Sequence, residues 1–256
     1  MLGFGETLRR DDAALTLHPA GHMLGSAQLH CEYEGTRLLY TGDVKLRQIG
    51  GRLTQVPRAD VLVMESTYGR PHFRFGDPDS TVESIARWCR LALDSRVTPV
   101  LLCHALGKTE EVMLALAPYG LQFALETRCV PCARAYEAAG RPLPDWIELD
   151  GETVRDRVVI APPAGKDEVR RLGRYRTALV SGWARDAEFA RLFGADTTFD
   201  LSDHCDFDEL FELVRLSGAD QVYTVHGYTE DFAKFLRRRG IKAWALEKPE
   251  QLALAL

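Results

Sequence analysis

No stretch of this 256-residue sequence approaches the roughly 20 consecutive apolar residues that a helix needs to cross a bilayer, so no membrane-spanning helix is expected. The opening residues also lack the apolar core of a secretory leader. Gly3, Glu6, Arg9, Arg10, Asp11 and Asp12 interrupt it, and the cytoplasm is the expected compartment. Positive charge is not in excess. A formal net charge of -5 argues against a protein that coats nucleic acid nonspecifically, although a local basic lip around an acidic site can still guide a phosphate backbone. Internal repeats, low-complexity segments and a GxxxxGK nucleotide loop are all missing. Among six cysteines only Cys129-Val-Pro-Cys132 is closely spaced, with no second pair at finger spacing. Reduced, packed thiols are the expected state, and a redox or metal pair is the minor reading. Histidine is scarce at the start: none precedes His18, and no HxH or DH cluster stands near it.

What is present is ordinary globular composition, 46% hydrophobic and 27% charged, enough for one large domain or two moderate ones. The opening third reads as strands. Ala14–His18 and Ala27–Tyr33 alternate, Glu34-Gly35 supplies a hairpin turn, Arg37–Thr41 returns, and Asp60–Glu65 is an apolar run ending on a carboxylate. From about Arg70 the texture changes to alternating helix and strand. A helix is predicted over Thr81–Leu93, capped by Ser80 or Thr81, then a strand over Thr98–Cys103 and a helix opening at Gly107. A strand over Leu121–Glu126, a helix over Ala133–Gly140, a strand over Arg157–Ala161, a helix around Asp167–Leu172 and a strand over Thr177–Ser181 continue the pattern. It implies a small α/β unit with a parallel sheet. Asp206–Leu216 is an amphipathic helix, Gln221–Val225 a strand ending at His226, and Thr229–Arg239 a helix.

Short motifs at strand-to-loop junctions carry the chemistry: His18-Pro-Ala-Gly-His22, Thr41-Gly-Asp43, Glu65-Ser-Thr-Tyr-Gly69, Leu201-Ser-Asp-His204 and Val225-His226-Gly227. Water-activating metals favour imidazole nitrogen and carboxylate oxygen, which makes His22, Asp43 and His226 candidate ligands. Each has a glycine beside it that lets the backbone turn and present the side chain. One strand-end histidine alone is more often a surface or hydrogen-bonded residue; the joint pattern favours a metal. Glu65 and His204 form a second candidate pair, a carboxylate that raises an imidazole's pKa and yields a general acid for a leaving oxygen. A capping or salt-bridged carboxylate is the alternative for Glu65. Gly107-Lys108-Thr109, at a strand-to-helix junction, reads equally as a backbone contact on nucleic acid or as a plain helix start. Trp183 is a candidate for stacking on a base, with core packing the stronger alternative. Arg170-Arg171 and Arg237-Arg238-Arg239 read as solvated helical faces.

The segments HPAGHMLGSAQ, YTGDVKLR, VLVMESTYGRPHF, ALGKTEEV, LSDHCDFDEL and YTVHG resemble the β-CASP branch of the metallo-β-lactamase superfamily, in order and over essentially the whole chain. Within it they are similar to bacterial exonuclease-like proteins related to the mRNA 3′-end cleavage factor, including DNA-ligase-associated exonucleases. The resemblance implies an α/β (α+β sandwich) architecture: a partial metallo-β-lactamase αββα fold in segments 1–69 and 201–256, interrupted by an α/β β-CASP insert over 70–200 that closes over a nucleic-acid strand. It implies metal ligation by His22, Asp43 and His226, with Asp43 bridging two zinc ions, and proton transfer by Glu65 and His204. Zinc is the implied metal, with manganese as an alternative. The family also has an early strand-end acid and a HxHxDH motif supplying four ligands, and neither occurs in this sequence. The sheet is then expected to lack its first strands, leaving an exposed edge and an uncovered core face.

The leading expectation is a metal-dependent phosphodiesterase acting on RNA or DNA, impaired by the missing HxHxDH. Metal-activated water attacks phosphorus in line, and His204, oriented by Glu65, assists the leaving group. The alternative is a noncatalytic nucleic-acid-binding or scaffold subunit. A small-ester hydrolase of the wider superfamily is a third reading, from which the large insert and the LSDH motif point away. No membrane association is expected, and a partner chain or homo-oligomer completing the sheet is left open.

Overall fold

The computed structural model describes residues 2–150 and 154–246; Met1 and 247–256, the end of the expected C-terminal segment, lie outside the described residues. In chain order the elements begin with β1 (Thr7–Arg10), β2 (Ala13–Pro19), β3 (Ala27–Tyr33), β4 (Thr36–Tyr40) and β5 (Val61–Ser66). Then come α1 (Pro78–Asp94), β6 (Thr98–Leu102), α2 (Lys108–Leu116), β7 (Phe123–Leu125), α3 (Val130–Ala138), β8 (Trp146–Glu148) and β9 (Val158–Ala161). They continue with α4 (Lys166–Val169), β10 (Tyr175–Val180), α5 (Ala187–Phe193) and β11 (Thr197–Phe199). The chain returns through α6 (Phe207–Ser217), β12 (Gln221–Gly227), α7 (Thr229–Arg237) and β13 (Lys242–Ala245). Two compact units result, residues 1–74 with 203–256 and residues 75–202. Among the described residues no helix is long and apolar enough to cross a membrane.

The discontinuous unit is built on a seven-stranded sheet in the order β1-β2-β3-β4-β5-β12-β13. β1 to β4 pair antiparallel, and β4, β5, β12 and β13 run parallel. Glu34 and Gly35 both have positive φ, 47° and 76°, the pairing that matches a tight two-residue hairpin to strand twist. Alternation then sorts the side chains. Leu39, Leu62, Met64, Val222 and Ala243 point to one face and pack with Leu210, Leu213 and Val214 of α6 and with Phe232, Ala233 and Leu236 of α7. Leu17, Leu29, Tyr40, Val63 and Tyr223 lie in register across the other face and are only half-buried. α6 is fixed at both ends, by a capping box between Asp206 and Glu209 and by Gly218 in the left-handed region.

The 75–202 unit carries a six-stranded parallel sheet in the order β11-β10-β6-β9-β7-β8. Its central strands are apolar runs rather than alternating ones, and every residue of β7 and β9 is buried, as expected for a parallel sheet packed on both faces.

Several local expectations are corrected. α1 starts at Pro78 with Asp77 as its cap, not at Ser80 or Thr81; Asp77 Oδ2 accepts from the Ser80 amide at 2.9 Å, and proline suits the first helical position. α3 starts at Val130, and α4 covers only four residues. β1, β8, β11, β13 and α5 were not expected at all.

Candidate metal centre

Three loops of the discontinuous unit converge beyond the ends of β2, β4 and β5. His22 follows β2 through Gly21, whose φ is +77° and where a Cβ would come within 2.3 to 2.7 Å of Gln48, Thr54 and the Lys45 carbonyl. Only glycine fits there, so the loop seats tightly against residues 45–54. Gln48 Nε2 secures it by donating to the Gly21 carbonyl at 3.1 Å and the Lys45 carbonyl at 2.9 Å. The Lys45 amide in turn donates to the Ala20 carbonyl at 3.0 Å, tying the loop of Asp43 to that of His22.

His22 Nδ1 lies 2.9 Å from the backbone oxygen of Asp203. A carbonyl only accepts, so Nδ1 carries the proton and Nε2 keeps its lone pair. Across the site Glu65, fully buried at the end of β5, accepts from the Val44 amide at 2.7 Å and the Thr67 amide at 3.3 Å. Its Oε1 is also 2.9 Å from His204 Nδ1. The Cys205 amide donates to the Val44 carbonyl at 2.8 Å, and the Leu46 amide donates to Cys205 Sγ at 3.2 Å. Those bonds hold the histidine at the α6 entrance against the strand ends.

Burial opposes charge on His204, but the Glu65 carboxylate, helped by Asp203 and Asp43, outweighs it and lifts the imidazole pKa to about 9. Burial likewise works against the Glu65 anion. The charge and hydrogen bond of His204, with the Thr67 side chain and the Val44 amide, hold it below the ordinary carboxylate range nonetheless.

His22, Asp43 and His204 each offer a ligand atom, and these atoms all lie within 4.8 Å of one another, the one such group among the described residues. The His22 and His204 rings sit 4.5 Å apart. Nitrogen and carboxylate donors gathered in this way could hold a divalent cation. His226 is placed differently. It sits at a bulge in β12 with φ 56°, its side chain is exposed, and it is outside that group. Ser66 Oγ donates to its carbonyl at 2.6 Å. Gly227 beside it has no room for a Cβ, which would come 2.4 Å from Thr67 Cα, so the ends of β5 and β12 press together.

No family model matches the chain. A probable DNA ligase of Opitutus terrae is 39% identical over 263 residues, covering 100% of this chain and 26% of the relative. The transcription termination factor FttA of Methanococcus maripaludis is 34% identical over 40% of this chain and 17% of its own. An RNase J-like protein of Methanocaldococcus jannaschii is 31% identical over 39% of this chain and 24% of its own. The chain belongs to the β-CASP branch of the metallo-β-lactamase superfamily. It spans about a quarter or less of the length of these relatives.

In this β-CASP chain the other residues singled out from sequence lie in the 75–202 unit. Lys108 is buried, with Nζ 2.5 Å from Glu111 Oε2. Thr109 is buried too, its hydroxyl donating to the His104 carbonyl at 2.9 Å. Contact of either side chain with a nucleic-acid strand would require breaking these bonds; the contact expected from sequence is one of the backbone. Trp183 is half-buried and packs at 5.4 Å on Phe189. The Asp203 carbonyl, which orients His22, was missed as a functional group, although its place beside His204 marked it.

Proposed function

We propose that the chain is a metal-dependent phosphodiesterase domain acting on a nucleic-acid strand, of the DNA-ligase-associated exonuclease type. On this reading segments 1–69 and 201–256 are parts of a metallo-β-lactamase domain and 70–200 is the β-CASP domain. The observation that carries it is the gathering of His22, Asp43 and His204 around one point, with buried Glu65 behind His204. The names of the relatives, a ligase, a termination factor and an RNase J-like protein, support nucleic acid as the substrate class.

A divalent cation held there supplies Lewis-acid polarisation of a phosphoryl oxygen and an activated water. His22 contributes Nε2, fixed by the Asp203 carbonyl, and Asp43 contributes charge. His204 shares the donor group, yet the carboxylate behind it favours its protonated form, and we assign it proton delivery to the leaving oxygen. His226, at the adjoining strand end, is assigned a further ligand position. Few donors leave much of a cation's shell to water, so binding by this chain is weak and turnover low.

The test loads the purified chain with zinc or manganese, measures bound metal by elemental analysis, and follows cleavage of labelled single-stranded DNA and RNA. Asp43→Asn should lower both metal content and cleavage, the latter at least about a hundredfold, and His226→Ala should abolish what remains. Cleavage indifferent to Asp43→Asn would refute the metal assignment. Two tightly held zinc ions per chain would refute weak binding.

A further inference from the structure

The run Arg237-Arg238-Arg239, read from sequence as a solvated face, is divided by the fold into three different environments. Arg237 bonds Glu230 at 2.6 Å and the Ala243 carbonyl at 2.9 Å. Arg239 lies 3.6 Å over the Phe235 ring. Arg238 instead joins Arg70 and Lys234 around a surface pocket of about 250 Å³. Asp231, Lys234 and Arg238 fall at helical spacing on one side of the C-terminal helix region, facing the loop that leaves β5.

That loop is held against α7. At Gly69 a Cβ would come 2.9 Å from Phe232 Cβ and 3.0 Å from the Tyr228 carbonyl, so the backbone has closed to contact. Arg70 is then fixed twice, with Nε 2.5 Å from Asp231 Oδ2 and its guanidinium 4.0 Å over the Tyr228 ring. Asp231 offsets one of the three cations. Lys234 and Arg238 are exposed and have no ion-pair partner among the described residues, which leaves the pocket with two uncompensated positive charges and one oriented guanidinium.

We propose that this pocket binds a backbone phosphate of the nucleic-acid strand, away from the reacting group. The identity of the occupant as a strand rests on the proposed function; the anion chemistry rests on the pocket alone. A forked guanidinium pinned in place, beside two flexible cations, suits the several oxygens of a phosphate. Its position suits the role as well. Arg70 is five residues beyond Glu65, so their Cα atoms are at most about 18 Å apart, a reach of a few nucleotides. The loop that carries the buried carboxylate therefore also carries the anion site, and a strand held at one is brought to the other.

The test is fluorescence anisotropy of a labelled 15-nucleotide single strand on the full chain, from about 0.05 to 0.5 M salt. Lys234→Ala with Arg238→Ala should weaken binding by about tenfold for each cation at the lowest salt and flatten the salt dependence by about 1.4 in log–log slope, similarly for different base sequences. Arg9→Ala with Arg10→Ala, exposed cations on β1, removes the same charge elsewhere and should do much less. Unchanged binding in the pocket variant, or an equal loss in the β1 variant, overturns the proposal. Inorganic phosphate is the second arm. If it binds the parent at the pocket by calorimetry while strand binding ignores the pocket variant, the strand assignment is overturned. If the strand binds through the pocket but no metal-loaded protein cleaves it, the phosphodiesterase reading falls and the pocket stands. Cleavage that proceeds with pocket-independent binding has the opposite meaning.

Discussion

Both units place polar side chains just past the carboxyl ends of their strands, and the two sets are built to opposite ends. In the 75–202 unit Lys108 meets Glu111, Thr109 meets the His104 carbonyl, Glu110 takes the Gly107 amide and Glu126 takes the Arg128 amide. Donors and acceptors nearly balance. The exception among the described residues of this unit is Glu110 Oε1, which has no hydrogen-bond partner, and burial pushes that carboxyl's pKa up. In the discontinuous unit the balance is tipped. His22, Asp43 and His204 bring acceptor atoms to within 4.8 Å of one another, an arrangement that repels unless a proton or cation sits among them. A polar residue at a strand end therefore does not mark a site by its type. A local surplus of acceptors does.

The sharpest way to break this comparison is to remove one member of each set. Lys108→Met strands Glu111 and part of a closed network, and should cost about 3 kcal/mol of stability, read as a fall in the urea midpoint at constant slope. Asp43→Asn, measured in chelator, removes only a lesser carboxylate partner of the His204 imidazolium and should cost well under about 1 kcal/mol. Equal losses in the two variants would mean that the sets are equivalent and that the surplus at the metal centre is not real.

Next in size is a shift in titration. In metal-free protein the His204 imidazole should hold its proton to about pH 9, because Glu65 outweighs the opposing effect of burial. A folded value above the ordinary 6.5 means that its stabilising contribution is complete below pH 6.5 and is lost as pH rises through about 9. Glu65→Gln removes the dominant favourable partner, so NMR titration should show the pKa falling by about two units or more. An unchanged value would show that Asp43 and Asp203, and not Glu65, control the ring.

The fold of the discontinuous unit was legible where side chains declare a face. β2, β3, β4, β5 and β12 alternate or run apolar and end in glycine turns, and the structure has all of them. β1 was invisible because Thr7–Arg10 is exposed throughout and buries no side chain, its side-chain tie to β2 being the exposed Thr7–Thr16 hydroxyl pair at 2.9 Å. β8 and β11 are three-residue edge strands, too short to show a period. Of the candidate site, the order of motifs identifies residues but not which atoms meet. That His22 and His204 face each other depends on the Asp203 carbonyl, a backbone group that no side-chain pattern displays. The burial of Lys108 was not legible because lysine is usually exposed; it rests on Glu111 one turn along α2, a pair that reads equally as an exposed i,i+3 bridge.

Thiol chemistry gives a smaller contrast. Burial pushes Cys89 and Cys129 up to about 12, and Cys103 higher still, so none of the three should carry appreciable thiolate at neutral pH. Cys31 and Cys132 are half-buried. Brief alkylation of the native protein followed by peptide mass analysis should label those two first. Early labelling of Cys103 or Cys129 would show that the closed set opens readily.

The smallest effect belongs to an exposed pair that serves as a baseline for both sets. Arg37 donates from its backbone amide and Nε to Asp60 Oδ2, at 2.8 and 3.1 Å, and from Nη2 to Oδ1 at 2.7 Å. The guanidinium holds the Asp60 carboxyl down at about 2. Because that value is depressed, the pair's contribution is complete above the ordinary carboxylate range and disappears as pH falls through about 2. Water and salt screen a pair this exposed, so Asp60→Asn should change the acid-unfolding midpoint by only a few tenths of a pH unit. The difference from the parent should vanish near pH 2. A loss as large as that of Lys108→Met would show that forked geometry, rather than burial, sets the strength of polar pairs in this chain.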